Sequence, residues 1–189
     1  MPKLYALKVN HLFYDVEYFT SISSTSTYLK NKKELREGMT VVAAKQTKGR
    51  GRDGKKFYSP SGGLYFSFVL KPDEKIISYI TPLVGVACRE AISQLGGDDV
   101  RIKWVNDIML NNKKICGILT EAAISCESAS FRYIIAGIGI NTGTVKDAFD
   151  PELLEIASSI EDETGKHVKR SELIAAVINR LDEKINSLN

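Results

Sequence analysis

Residues 45–56 read KQTKGRGRDGKK and hold the densest positive charge in the chain. Lys45, Lys48, Arg50, Arg52, Lys55 and Lys56 stand against Asp53 alone, a net +5, so the rest of a chain of net charge +3 sums to −2. Glycines let backbone N–H groups approach an anion closely, and interleaved Arg and Lys neutralise it. Arg grips a phosphate or carboxylate with two parallel hydrogen bonds. The natural ligand of such a segment is a polyphosphate or nucleotide. Gly49, Gly54 and Lys55 match the G-x-x-x-x-G-K of a P-loop, but Lys56 stands where Ser or Thr should hold Mg2+. The segment also leads into a strand pattern, not a helix. An RGG-like nucleic-acid patch and a solvated basic loop are the other readings of this composition.

Three further segments carry chemistry-bearing types. Lys103-Trp104-Val105-Asn106-Asp107 puts an ammonium, an amide and a carboxylate at the end of a short strand. That set suits stabilising charge on a reacting phosphoryl or acyl group, although an ordinary Asn-Asp turn looks the same. Gly137-Ile138-Gly139-Ile140-Asn141 places glycines inside a β-rich run, a sign of close backbone approach by a ligand or a neighbouring element. Ser24-Thr25-Ser26 offers small hydroxyls for a polar head group, or simply a helix N-cap. The two histidines, His11 and His167, leave little from which to build a His-rich metal site or a His-based triad. Cys88, Cys116 and Cys126 are odd in number and lack CxxC spacing, which reads as free thiols in a reducing cytosol.

The elements that must position these residues follow from hydrophobic period. Val16–Ile22 reads as a strand. The Ser/Thr run after it caps a helix through Tyr28, Leu29 and Leu35, stopped at Gly38. Thr40–Ala44 and Leu64–Lys71 read as strands, the second with Leu64, Phe66, Phe68 and Leu70 on one face. Thr81-Pro82 reads as an N-cap and first helical residue of a helix that Gly96-Gly97 ends. Val100–Trp104 is a short strand, and 108–110 and 115–123 form a hairpin about residues 111–114. Phe131–Ile140 is a strand, and 151–160 and 171–188 are helices. Strands outnumber helices and one pair is a hairpin, which predicts an α+β fold with a mixed or antiparallel sheet flanked by helices.

Length and composition agree. The 189 residues, 43% hydrophobic and 26% charged, suit one globular domain with a substantial core. No repeat or linker divides the chain, so the expectation is a single domain over 1–189. No stretch approaches the roughly 20 apolar residues of a bilayer span, and the N-terminus lacks the apolar run of a secretory signal. The expected location is the cytoplasm.

Taken in order, these segments resemble the catalytic domain of biotin protein ligases. The family pattern runs through a Ser-Thr-Asn box, a Gln followed by a G-R-G-R loop, S-P-x-G-x-L-Y-x-S, K-W-P-N-D, K-[IL]-x-G-I-L-x-E and G-x-G-x-N. The matching residues are Ser24–Ser26, Gln46 with 49–57, 59–67, Lys103–Asp107, Lys114–Glu121 and Gly137–Asn141. The resemblance covers residues 17–189. It implies a sheet related to class II aminoacyl-tRNA synthetases and lipoate ligases. It implies a two-step reaction, in which biotin and ATP give biotinyl-5′-adenylate and a lysine of a biotin carboxyl carrier protein domain then takes the biotinyl group. By the resemblance Lys103 is the main catalytic cation, with Arg50 and Arg52. Ser24, Thr25, Ser26, Gln46, Gly49, Gly51, Gly117 and Gly137 line the biotin side together with those three. Lys55, Phe57, Asn106, Asp107, Lys114, Gly139 and Asn141 face the adenylate, where Asp107 helps hold Mg2+. Ser26, Lys55, Phe57 and Val105 depart from the family's Asn, Arg, Trp and Pro. No helix-turn-helix pattern precedes residue 17, so no nucleic-acid partner is expected, and no β-barrel pattern follows 188, which fits either a minimal ligase or a chain cut short of that module. No membrane partner is expected, and the resemblance allows a monomer or a homodimer. A lipoate or octanoate ligase shares the fold, but the G-R-G-R and K-W-x-N-D boxes are of the biotin type. A degenerate binder and a nucleic-acid module are the remaining readings.

Overall fold

The computed structural model describes residues 15–95, 99–124 and 131–188. His11, Cys126 and the Gly96-Gly97 helix stop lie outside the described residues. Seven strands, β1 (Asp15–Phe19), β2 (Met39–Ala43), β3 (Leu64–Leu70), β4 (Val100–Lys103), β5 (Asp107–Leu110), β6 (Lys113–Ile124) and β7 (Phe131–Ile140), form one sheet in the order β1-β2-β3-β7-β6-β5-β4. β1 runs parallel to β2 and the other neighbours are antiparallel, so the sheet is mixed, as the α+β reading predicts.

All seven residues of β3 are buried because the sheet is covered on both faces. Leu64, Phe66, Phe68 and Leu70 point into the larger core, where α2 (Ile80–Ser93) and α5 (Arg170–Asn186) pack. Val69 joins Leu29, Met39, Val41 and Ile135 in a smaller cluster beneath α1 (Thr25–Lys30). Each fully buried side chain of this size contributes about 1.5–3 kcal/mol. The larger core fixes the sheet, and the opposite face is left to carry the site.

Four elements differ from the sequence-based reading. α1 ends at Lys30, not near Gly38: Lys32 ion-pairs with Glu17 of β1, and Leu35 packs on the smaller cluster from a non-helical segment. α2 begins at Ile80 behind a 3-10 turn over Glu74–Tyr79, so Thr81 and Pro82 lie inside its first turn. Proline costs nothing there, since first-turn N–H groups have no intrahelical partner. The turn and α2 together make a 20-residue stretch, Glu74–Ser93, apolar enough by composition to cross a bilayer, contrary to the reading of the sequence. Its Ile80, Val84, Cys88 and Ile92 are instead buried under the sheet. The helix expected over 151–160 is two, α3 (Pro151–Ile156) and α4 (Ile160–Thr164). Ala157–Ser159 stays extended because the Ser158 N–H donates to the Lys114 carbonyl at 3.0 Å. Cys88 and Cys116 are free and buried. A hydrogen bond with Cys116, then burial, pushes the Cys88 thiol well above its usual range.

Candidate active site

The site face of the sheet carries a row set by register. Lys103 lies opposite Asp107, Asp107 opposite Gly117, Gly117 opposite Gly139 and Gly139 opposite Tyr65. Directly opposed residues of antiparallel strands share a face. Gly117, Gly137 and Gly139 floor a cavity of about 380 Å³ over this face. The Phe57 ring lies on the floor: a Cβ at Gly117 would come 2.7 Å from its Cε2, and one at Gly139 would overlap it. Glycine is therefore required at both positions while that ring is in place.

One wall of the cavity is polar and neutral. Ser24, whose side chain caps α1, has its Oγ 3.1 Å from that of Ser26. The Thr25 N–H and hydroxyl both donate to Gln46 Oε1, at 2.9 and 3.2 Å. Thr25 Oγ1 lies 2.7 Å from Ser67 Oγ, and Gln46 Nε2 donates to Ser59 Oγ at 3.0 Å. Ser24, Thr25, Ser26 and Ser67 are each at most 5% exposed. Gln46 is held by bridges to Ile22 and Ser59 that extend the sheet beyond β2. The result is a ring of fixed hydroxyl and amide groups that both donate and accept.

The opposite wall is cationic. The glycine loop closes on itself through Phe57 N–H to Gly49 carbonyl at 3.0 Å and Gly51 N–H to Lys55 carbonyl at 2.8 Å. It brings Arg50, Gly51, Arg52, Lys55, Lys56 and Phe57 to the cavity. Arg50 donates both terminal nitrogens to Glu121, at 2.9 and 3.2 Å, and Arg52 Nη1 reaches Asn106 Oδ1 at 3.4 Å. Asn106 in turn donates to the Ile118 carbonyl at 3.2 Å.

Lys114 reaches the cavity by way of a β-bulge. Ile108 pairs with Cys116 but Met109 with Lys114, so Ile115 is an extra residue in β6. Ile115 and Cys116 both point into the larger core, while Lys114 and Gly117 both line the cavity. Without the bulge, positions three apart in a strand would face opposite ways. A two-residue turn at Asn111 and Asn112, with φ of 50° and 64°, sets this register. Lys114 Nζ stands 2.7 Å from Asp107 Oδ1 and 5.6 Å from the Phe57 ring centroid.

The structure thus brings together fifteen of the residues expected at the site. Ser24, Thr25, Ser26, Gln46, Arg50, Gly51, Arg52 and Lys55 line the cavity, as do Phe57, Asn106, Asp107, Lys114, Gly117, Gly137 and Gly139. Three others lie outside the lining. Lys103 is exposed on edge strand β4, flanking Asp107. Gly49 is buried behind the loop, where a Cβ would overlap the Phe57 carbonyl oxygen. Asn141 is a buried strut whose Nδ2 donates to the Ser158 carbonyl at 2.9 Å, bracing the segment that holds the Lys114 backbone. Its Oδ1 is buried without a hydrogen-bond partner among the described residues. Sequence reasoning did not single out Ser67 or Glu121, although each closes one of the boxes it had identified.

A seven-stranded mixed sheet flanked by helices, with a glycine-rich cationic loop over one face, is the architecture of the class II synthetase-like ligases, and solved structures with this fold agree. The biotin protein ligase of Aquifex aeolicus, solved with biotin and ATP, superposes with a TM-score of 0.80 at 32% identity, over 93% of this chain and 72% of that one. The biotin protein ligase of Leishmania major, solved with biotinyl-5-AMP, superposes at 0.75 and 27% identity, over 92% and 75%. Residues 18–141 match the biotin/lipoate A/B protein ligase family, and the chain belongs to that family. Among curated relatives, the bifunctional ligase/repressor BirA of Bacillus subtilis is 37% identical over 171 residues, 89% of this chain and 51% of that protein. The biotin–[acetyl-CoA-carboxylase] ligase of Paracoccus denitrificans is 30% identical over 158 residues, 80% of this chain and 65% of that protein. The chain spans about half the length of BirA.

Proposed function

We propose that this chain is a biotin protein ligase catalytic domain: it joins biotin to ATP as biotinyl-5′-adenylate and passes the biotinyl group to a lysine of a biotin carboxyl carrier protein domain. The observation that carries this reading is the polar wall of Ser24, Thr25, Ser26, Gln46 and Ser67 facing a cationic loop across one cavity. A ureido ring presents one carbonyl and two N–H groups, which such a wall can pair. The dithiolane ring of lipoate has no N–H or carbonyl to offer the wall, so it would take these polar groups out of water with no new hydrogen bond in return. The wall therefore favours biotin over lipoate within the family.

In the first step the biotin carboxylate attacks the α-phosphorus and pyrophosphate leaves. In the second the carrier amine attacks the acyl carbon, AMP leaves and the amine loses its proton. Neither step needs a protein nucleophile. Both develop negative charge on oxygen, and Lys114, Arg50 and Arg52 supply fixed cations for it. We assign Lys114 the role that the sequence pattern alone gave to Lys103, because Lys114 lines the cavity. Magnesium accompanies ATP in such chemistry. Asp107 Oδ1 stands 2.7 Å from Lys114 Nζ yet is buried without a hydrogen-bond partner among the described residues, and it would be the carboxylate that helps hold the ion. Phosphate oxygens and water would complete the shell, since the described residues hold no group of three metal-ligating side chains. We place the reaction in the cytoplasm, in keeping with the free thiols of Cys88 and Cys116.

Intact-mass spectrometry of a carrier domain incubated with the chain, ATP and biotin tests the reading. One biotinyl addition is expected, lost when the acceptor lysine is replaced by arginine. No addition with biotin, or a lipoyl addition in a parallel incubation with lipoate in its place, would refute it.

A further inference from the structure

We propose that Glu121 is a positioning residue for the cationic wall: it holds the Arg50 guanidinium at the cavity, and Lys30 offsets its charge so that the group stays attractive to an anionic substrate. This rests on the adenylation reading above.

Glu121 lies on β6 four residues beyond Gly117, and so on the cavity face of the sheet. Its side chain is only 16% exposed, a position where a carboxylate needs partners. It has two. Arg50 meets it with both terminal nitrogens, and Lys30 Nζ of α1 lies 2.6 Å from Oε1. Arg50 therefore presents a fixed plane, with Nε–H and one N–H on each terminal nitrogen still free of Glu121. A long side chain on a glycine loop otherwise loses that orientation to rotamer freedom.

The second cation decides the sign of the field. A carboxylate paired with Arg50 alone would cancel it toward an incoming carboxylate or phosphate. Shared between Lys30 and Arg50, the group keeps a net charge of +1. The lysine comes from a helix, the carboxylate from the sheet and the arginine from the loop. The contact thus locks the loop to the two rigid elements that frame the neutral wall.

Two readouts on Glu121→Gln, Arg50→Ala and the double variant test this, one of them independent of chemistry. In the ligand-free protein, tryptic cleavage after Arg52, Lys55 and Lys56, followed by mass spectrometry, should rise about fivefold or more in each single variant and no further in the double, the coupling expected of contacting charges. In biotin-dependent ATP–pyrophosphate exchange, Glu121→Gln should raise the KM for biotin about five- to tenfold while kcat changes less, and should add nothing in the Arg50→Ala background. Arg50→Lys, which loses the fork but keeps the charge, should cost the wild type and not Glu121→Gln. Independent, multiplying effects, or wild-type cleavage and KM in Glu121→Gln, would overturn the proposal. Absence of exchange in the wild type would sink the adenylation reading instead, and the cleavage measurement would still judge the clamp.

Discussion

Lys114 and Lys103 show how little residue type says without register. Both border Asp107, and the family resemblance favours Lys103. Only Lys114 lines the cavity, 2.7 Å from Asp107, with its backbone pinned by Ser158. Lys114→Ala is expected to slow pyrophosphate exchange about a hundredfold or more, the usual cost of losing one fixed charge-stabilising group. Lys103→Ala, on an exposed side chain, should cost far less. The reverse ranking, measured under the same conditions, would return the catalytic cation to Lys103. The neutral wall was legible in the sequence, because Ser24–Ser26 and Gln46 sit in compact boxes. Ser67 was not, since it stands alone in a buried apolar strand, nor was Glu121, whose partners Arg50 and Lys30 are distant in sequence.

At the scale of elements, the strands and the hairpin turn at Asn111-Asn112 were readable, and the irregularities within elements were not. β2, β3 and β7 announce themselves by β-branched and aromatic runs. The β-bulge at Ile115 leaves no composition signal, because it exists only as a mismatch between two strands. The break between α3 and α4 is likewise tertiary: Ala157–Ser159 gives up helical bonds to pair with Lys114 and Asn141. The packing of Phe57 on the glycine floor makes a prediction at this scale. Gly139→Ala drives a Cβ into that ring and should cost about 1–3 kcal/mol in denaturant unfolding, as overpacking does. The loss should largely vanish in a Phe57→Ala background. Equal costs in both backgrounds would mean that the ring does not rest there.

The whole molecule depends on a larger core beneath the sheet and on a strap, 141–162, that closes the far end. Phe66→Ala, at a fully buried position in that core, should destabilise by about 3–5 kcal/mol. Asp162 fastens the strap. Burial works against its charge, but the Val145 N–H, the Thr144 and Ser159 hydroxyls and Lys146 outweigh it and hold the carboxyl below its ordinary value. A lowered folded-state value stabilises above the unfolded value, near 3.8, and that stability fades as pH falls through the folded one. Asp162→Asn should therefore cost stability at pH 7, and the gap to wild type should close below about pH 4. A gap that persists into stronger acid would assign the effect to shape rather than charge.

The central claim is that one cavity, neutral on one side and cationic on the other, activates biotin with ATP. ATP–pyrophosphate exchange with magnesium, run with biotin and separately with lipoate, tests it most directly. Exchange with biotin that is absent with lipoate and lost in Lys114→Ala is the predicted result. Exchange with lipoate, or biotin-dependent exchange that survives Lys114→Ala unchanged, would contradict the account.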